Sequence, residues 1–332
     1  MLIVALLVVA AVAGLSAVYR ASLGARAAAS MGAASPIATV RPATGDPRIA
    51  LRVTQHFGAV PMLDRRVTAR AGSSVMALLS REITVTTSYG GGFVSTIGGL
   101  ASGYSGARPV QADWFYYVDG LQAHVGAGDL KLRAGASVWW DFHRWDFATS
   151  VPAVVGQYPA PFVVAGRASR PTGVLFTSGF EPAARHIAST LRSIGASDAV
   201  AAPASAQALS HSGHAILVGR WADLVALDAV RDAAGQPGAS GIFVRFGDRG
   251  AQALGELGGV AASLPGAGAV LATVKPDDPD AALWLVTGSD AADVRAAANL
   301  LAGGHGARLA GRFGALVRRD GAVVSLPMAG PR

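Results

Sequence analysis

The chain has 332 residues, of which 51% are hydrophobic and 15% are charged, with a net charge of +7 and no cysteine. This hydrophobic fraction excludes general disorder, because enough apolar surface is available to offset the entropy lost when the chain orders. The lack of cysteine excludes disulfide frameworks, cysteine-ligated zinc, iron–sulfur clusters and thiol catalysis. At roughly 100–200 residues per domain, the length predicts two domains after an N-terminal tail is set aside.

The N-terminal region predicts export. Residues 2–19 form an uninterrupted run of apolar and small residues that ends at Arg20. Its length lies between that of a signal-peptide core and that of a membrane-spanning helix. We therefore expect residues 1–20 to be a signal peptide or a membrane anchor, and the Ala-, Gly-, Ser- and Pro-rich residues 21–47 to be a flexible linker. The protein is expected in the cell envelope, extracytoplasmic, and either membrane-anchored or secreted.

Residues 48–150 predict a β-rich first domain. Apolar residues alternate with polar ones at 49–53, as in a half-buried strand. A short helix is expected after Ser73 or Ser74, which are candidate N-caps. Further strands are predicted at 66–69, 83–87, 114–118 and 138–140. A run of strands around one helix is typical of a β-grasp-like α+β domain with a mixed sheet.

Three aromatic segments of this region carry a family resemblance: Thr84–Val94, Asp113–Gly120 and Val138–Trp145. They resemble the DUF4430, or transcobalamin-like C-terminal, family. The resemblance covers about residues 48–162 and implies an extracytoplasmic β-rich module. In vitamin-carrier relatives a similar domain closes over cobalamin, so cobalamin is a ligand implied by the resemblance alone. The residues themselves predict no cofactor.

The aromatic side chains are the main candidates for ligand binding. Four of the six tryptophans lie within residues 114–145. Because side chains alternate along a strand, Trp114 and Tyr116 face one side of the sheet and the residues next to them face the other. Trp139 and Asp141 likewise share a face. One set can form the core, which leaves the other to stack on a small molecule or sugar, or to pack in an interface.

Polar residues near these strands add further candidates. Asp141 and His143 share a strand face and could hold a metal or transfer protons, but a salt-bridged, partly exposed strand end is favoured. The glycines after Tyr89 could expose backbone N–H groups to a ligand, although a β-bulge explains them as well. No catalytic and no metal-ligating residue is predicted. The candidate ligand-binding residues are Tyr89, Gly90, Gly91, Trp114, Tyr116, Trp139, Trp140, Asp141, His143 and Trp145.

Residues 151–170 contain three prolines and predict a linker, after which residues 171–332 predict an α/β three-layer domain. Short apolar strands alternate with helices in this region. The predicted strands are 173–177, 215–218, 241–245, 269–273 and 282–286, and the predicted helices are 182–194, 222–232 and 290–301. Three strand-to-helix turns could bind a ligand at the carboxyl edge of the sheet, but helix capping selects the same residue types.

These patterns favour a binding role over catalysis. The sequence contains no G-x-G-x-x-G, G-x-S-x-G or H-E-x-x-H motif. Its basic residues are not interleaved with aromatics, so nucleic-acid binding is not predicted. We expect a non-enzymatic, exported or membrane-tethered protein that captures a small molecule or envelope glycan through its aromatic-rich β domain, with a membrane protein as a further candidate partner. The alternatives are a structural or adaptor protein whose aromatic cluster forms an interdomain or partner interface and, ranked third, a hydrolase that uses Asp141 and His143.

Overall fold

The computed structural model describes residues 48–70, 72–88, 93–103, 111–303 and 306–328. The signal or anchor segment and the linker that are predicted for residues 1–47 lie outside this part of the chain. Among the described residues, no helix is long and apolar enough to cross a membrane. The described chain is a mixed α+β structure with several sheets, which confirms the predicted fold class.

Five strands form the first sheet: β1 (Arg48–Gln55), β2 (Val60–Thr68), β6 (Ala112–Val118), β7 (Leu121–Gln122) and β8 (Ser137–Arg144). Their order is β2-β1-β8-β6-β7, and β1 is parallel to β8. Between β2 and β6 the chain forms helix α1 (Val75–Glu82) and a small sheet of β3 (Val85–Ser88), β4 (Phe93–Ile97) and β5 (Leu100–Ala101). The sheet is mixed, as predicted for this region.

Local sequence signals account for several of these elements. Helix α1 begins after Ser74, whose Oγ accepts a hydrogen bond from the backbone N–H of Ala77 at 3.1 Å. The β6–β7 hairpin turns through Asp119 and Gly120, with φ values of 52° and 87°. Positive φ at both positions is what a two-residue turn of this kind requires, and Asp-Gly supplies it at low cost.

Seven strands form the second sheet: β11 (Thr172–Phe176), β12 (Val200–Pro203), β13 (His214–Arg220), β17 (Ala267–Lys275), β18 (Asp278–Gly288), β19 (Gly314–Arg318) and β20 (Val323–Leu326). Their order is β12-β11-β13-β18-β17-β19-β20, with the first four parallel and the rest antiparallel. A hairpin, β9 (Val163–Val164) and β10 (Arg167–Ala168), precedes this sheet. A three-stranded sheet of β14 (Val244–Gly247), β15 (Gly250–Leu254) and β16 (Val260–Leu264) follows β13 in the chain.

In the part of the chain that the structure describes, six α-helices accompany the second sheet: α2 (Glu181–Ser193), α3 (Ala206–Ser210), α4 (Trp221–Leu224), α5 (Asp228–Gly235), α6 (Pro237–Ser240) and α7 (Ala291–Ala302). The prediction of one helix over 222–232 is wrong. The chain breaks at Leu227, which has extended dihedral angles of φ −83° and ψ 127°. The break lets Leu224 and Val230 enter the same buried cluster.

Three apolar clusters lie one behind the other through the structure. The first joins α1 to one face of the first sheet, and the third joins α2 and α7 to one face of the second sheet. The middle cluster contains residues from both sheets, including Trp139 of β8 and Leu271 of β17. Residues 46–332 therefore form one compact unit. The domain boundaries that are placed around residues 151–170 stay a prediction.

Phe313, just before β19, makes the central contact of the middle cluster. Its ring centroid lies 4.9–5.5 Å from those of Phe57, Tyr117, Trp139 and His143, each in an edge-to-face geometry. Such aromatic pairs add attraction beyond the area that they bury. Phe313 is 1% exposed. Its side chain therefore covers the face of the first sheet on which Tyr117, Trp139 and His143 lie.

Phe313→Ala is expected to lower the free energy of unfolding by about 3–5 kcal/mol, because it leaves a cavity among well-packed rings. Chemical denaturation of the full chain measures this change. Leu257→Ala is the control, since this side chain is 62% exposed, and its effect should stay below about 0.5 kcal/mol. Equal effects of the two substitutions would contradict the interior role of Phe313.

Candidate functional site

The first sheet separates the predicted aromatic residues onto its two faces. Trp114, Tyr116 and Trp140 lie in the cluster beneath α1, each at most 8% exposed. Tyr116 stacks on Trp140 with ring centroids 4.7 Å apart. The Nε1–H of Trp114 donates to the Leu100 carbonyl at 3.2 Å, and the Tyr116 hydroxyl donates to the Val125 carbonyl at 2.5 Å. Little of any of these rings is open to a ligand.

Of the remaining predicted residues of this region, the structure describes Trp145. Trp145 is half-buried just after β8, and its backbone N–H donates to the Gln111 carbonyl at 2.8 Å. Tyr89, Gly90 and Gly91 lie outside the described residues. Their role in ligand binding stays a prediction.

Trp139 lies on the opposite face of the sheet and is fully buried. Its Nε1–H donates to Thr54 Oγ1 at 2.7 Å. The guanidinium carbon of Arg52 lies 5.9 Å from the centre of the Trp139 ring. Trp139 is thus held between the buried polar groups of β1 and an arginine that reaches the surface.

The pair Asp141 and His143 occupies the same face, but the expected partial exposure is wrong. Asp141 is 0% and His143 2% exposed, because the second sheet covers this part of β8. Asp141 Oδ1 accepts hydrogen bonds from Thr54 Oγ1 and from the backbone N–H of Gly58. Asp141 Oδ2 accepts from the backbone N–H of Phe57 at 3.0 Å and from His143 Nδ1 at 2.8 Å. A carboxylate has about four lone-pair positions, so this one has none left for a metal or a substrate.

The imidazole of His143 is enclosed as well. It stacks between Phe57 and Phe115, with ring centroids at 4.3 Å and 4.4 Å. A general base has to come within hydrogen-bond reach of the proton that it removes. The His143 side chain is only 1% exposed, so its ring is enclosed by the surrounding aromatic side chains. Among the described residues, no group of three or more His, Asp or Glu side chains could hold a metal ion.

Asp141→Asn places an amide NH₂ among donors that need an acceptor. It is expected to lower the free energy of unfolding by about 1–3 kcal/mol, measured by chemical denaturation. Asp146→Asn is the control, because Asp146 pairs with Arg144 at the surface, where the expected loss is below about 1 kcal/mol. An Asp141→Asn protein as stable as the parent would show that the carboxylate is not needed to hold its four donors.

A serine–histidine pair lies outside the predicted candidates. Ser169 Oγ is 3.1 Å from His214 Nε2, and both residues line a cavity of about 560 Å³. His214 Nδ1 accepts the backbone N–H of Ala282 at 3.0 Å, which places the ring proton on Nε2. Ser169 Oγ donates to the Pro161 carbonyl. The imidazole therefore donates to the serine and is not a base that could activate it.

Burial, together with the positive charges of Arg170 and Lys275, lowers the pKa of His214 from 6.5 to about 4. Between these two pH values the unfolded chain binds a proton that the folded chain does not. The contribution of neutral His214 to stability is therefore complete above pH 6.5 and is lost as the pH falls toward 4.

We expect this titration to lower the free energy of unfolding by up to about 3 kcal/mol between pH 7 and pH 4. Urea denaturation at both pH values measures the loss. His214→Asn keeps an acceptor for the Ala282 N–H and should show a smaller pH dependence. His186→Asn, at an exposed position of α2, is the matched control. If His214→Asn and the parent lose the same stability, the assignment to His214 is refuted.

A second cavity, called cavity A, has a volume of about 490 Å³ and lies between the β1–β2 side of the first sheet and residues 156–166. This volume is in the range of small-molecule sites. The sheet side of its lining consists of Arg48, Ala50, Arg52, Asp64, Arg66, Ser137 and Trp139. Trp139 is thus a predicted residue that also borders a cavity.

Three arginines surround Ala50 in cavity A. Arg48 and Arg52 lie two residues to either side of Ala50 on β1, so all three share a face. Arg66 is the register partner of Ala50 on β2, and Ser137 is its partner on β8. The small alanine side chain leaves open space between the longer ones.

Positive charge prevails in cavity A. Arg52 donates to Asp64 Oδ2 through Nη2 at 2.6 Å and Nε at 3.2 Å, so Asp64 Oδ1 can still accept a hydrogen bond. The other carboxylate of the lining, Asp119, accepts from Arg133 at 3.2 Å and from the backbone N–H of Ser137 at 2.8 Å. Burial raises the pKa of Asp119, which its hydrogen bonds oppose. An anionic group therefore suits this cavity better than a cation.

The aromatic strands of the first sheet belong to a segment with known relatives. Residues 72–144 match DUF4430, a domain of unknown function. The predicted resemblance is confirmed over this segment. No curated protein matches the chain. The DUF4430 segment supplies Ser137 and Trp139 to cavity A, whereas the three arginines precede it.

Several solved structures are similar to part of the chain, and one of them is a crystal structure at 1.30 Å resolution. It is from Ruminococcus gnavus ATCC 29149 and is described as a candidate metal-binding protein. The two chains are 16% identical over 29% of this chain and 94% of that chain, with a TM-score of 0.24. At this TM-score the likeness supports no conclusion about the fold or the ligand of the present protein.

Proposed function

We propose that this protein is a non-enzymatic binding protein of the cell envelope, exported or membrane-tethered, that captures a small molecule or glycan in cavity A. The observation that carries the proposal is the arrangement of Arg48, Arg52 and Arg66 around Ala50 in a cavity of about 490 Å³. Concave sites with a few converging polar groups are the usual places where proteins bind small molecules.

Cavity A lies away from most of the predicted aromatic residues. Trp114, Tyr116 and Trp140 are core residues beneath α1. Trp139 supports the new location, because it connects the buried aromatic face to the wall of cavity A. The contact with a ligand would then come mainly from arginine side chains.

A binding role also agrees with the chemistry of the two acid–base pairs. The carboxylate of Asp141 is saturated by four donors, and His143 is enclosed. His214 carries its proton on the nitrogen that faces Ser169. Neither pair offers the open nucleophile and base that a hydrolase needs.

A second candidate function is that of an adaptor. Leu257, three residues before strand β16, is 62% exposed, and Val260, the first residue of β16, is 50% exposed. Strand β16 lies at one edge of its sheet. An edge strand with exposed apolar neighbours can pair with a strand of a partner protein. This observation favours a protein partner, independently of cavity A.

Ala50→Leu tests the proposed site by filling the floor of cavity A. We expect the full chain to bind at least one of four probes, namely D-glucose, D-glucuronate, D-glucose 6-phosphate and cyanocobalamin, in isothermal titration calorimetry. Cyanocobalamin represents the ligand that the family resemblance implies. Ala50→Leu should weaken that binding about tenfold or more, because overpacking excludes the ligand.

Ala261→Leu is the control for this experiment, since Ala261 is exposed on β16, outside the lining of cavity A. It should leave binding unchanged. Binding that Ala50→Leu does not weaken, or no binding of any probe, would refute capture in cavity A and favour the adaptor.

A further inference from the structure

We propose that the ligand of cavity A is an acidic sugar, that is, a saccharide that carries a carboxylate or phosphate group. This inference rests on the proposed function and names the chemical class of its ligand. It follows from two kinds of polar group that meet around Ala50: guanidinium groups that attract an anion, and oxygen atoms that suit the hydroxyl groups of a sugar.

Arg66 is the reason to expect an anionic group on the ligand. Its register partner is Ala50, so its side chain has no long neighbour directly across the strand pair. Within the described residues Arg66 forms no ion pair, whereas Arg52 is held by Asp64 at 2.6 Å. Guanidinium groups bind carboxylate and phosphate groups through charge-assisted hydrogen bonds. Arg66 is therefore the arginine most available to an incoming anion.

Asp64 and Ser137 are the reason to expect hydroxyl groups on the ligand, because both can form hydrogen bonds with the hydroxyl groups of a sugar. Asp64 Oδ1 remains free to accept a hydrogen bond, since both bonds from Arg52 end on Oδ2. Ser137 Oγ accepts from Gln157 Nε2 at 2.8 Å and can donate its own proton. A carboxylate repels a bare inorganic anion, but it accepts readily from a sugar hydroxyl. The combination thus fits an acidic sugar better than free phosphate.

A neutral sugar fits less well, because it would cover Arg66 without pairing its charge. Covering a charge without a partner costs free energy. The net charge of +7 acts in the same direction, since it raises the local concentration of anions near the protein.

The test compares four probes by isothermal titration calorimetry with the full chain: D-glucose, D-glucuronate, D-glucose 6-phosphate and inorganic phosphate. At least one of the two acidic sugars should bind about tenfold or more tightly than both glucose and phosphate. The affinities of D-glucuronate and D-glucose 6-phosphate, compared with each other, show whether a carboxylate or a phosphate group is preferred.

Arg66→Gln should weaken that binding about tenfold, and Arg66→Lys, which keeps the charge, should recover part of it. Arg65→Gln is the matched control. Arg65 directly precedes Arg66 on β2, and its Nη1 lies 3.9 Å from Glu82 Oε2. Arg65 therefore faces away from cavity A and is not part of its lining. Thermal melting of each variant shows that it is folded, as expected for exposed positions.

Three outcomes would overturn the acidic-sugar proposal. These are glucose or phosphate binding as tightly as the acidic sugars, binding that Arg66→Gln leaves unchanged, and no binding of any of the four probes. If Ala50→Leu still abolishes binding of a neutral probe or of cyanocobalamin, the proposed function survives and only the ligand class fails. Binding that is insensitive to both Ala50→Leu and Arg66→Gln refutes the two together.

Discussion

The insertion of Phe313 between the two sheets is the contact on which the other features of this structure depend. Its ring packs edge-on against Phe57, Tyr117 and Trp139, and so covers the face of the first sheet that α1 leaves uncovered. Burial of this much aromatic surface removes it from water and makes one unit of residues 46–332. The arginine-bearing part of the same face borders cavity A, which is why a polar site lies beside an aromatic core.

The buried carboxylate of Asp141 supports that packing. A carboxylate taken out of water is costly unless donors surround it. Two of its four donors are the backbone N–H groups of Phe57 and Gly58, in a turn where Phe57 has a φ of 55°. Asp141 therefore holds the turn that brings Phe57 against Phe313. The same saturation that stabilises the turn removes the acid–base capacity that the spacing of Asp141 and His143 suggests.

Much of the fold could be predicted because its signals are local. The alternation in β1, the cap of α1 at Ser74 and the Asp119–Gly120 turn each depend on neighbouring residues, and all are found in the structure. Strand β16 could not be predicted in this way, because its sequence Val-Ala-Ala-Ser-Leu has no clear period of two. The site was harder to predict. Cavity A combines β1, β2, β8 and residues 156–166, and no spacing within one segment connects these parts.

The sequence by itself determined the α+β class, the DUF4430 segment and the two faces of the aromatic strands, because strand alternation and turn chemistry act within a few residues. Only the tertiary structure decided which elements cover each face. Phe313 lies between Arg312 and Gly314, directly before the apolar strand β19. That it enters the aromatic face of a sheet formed far earlier in the chain depends on the packing of whole sheets, which leaves no periodic signal in the sequence.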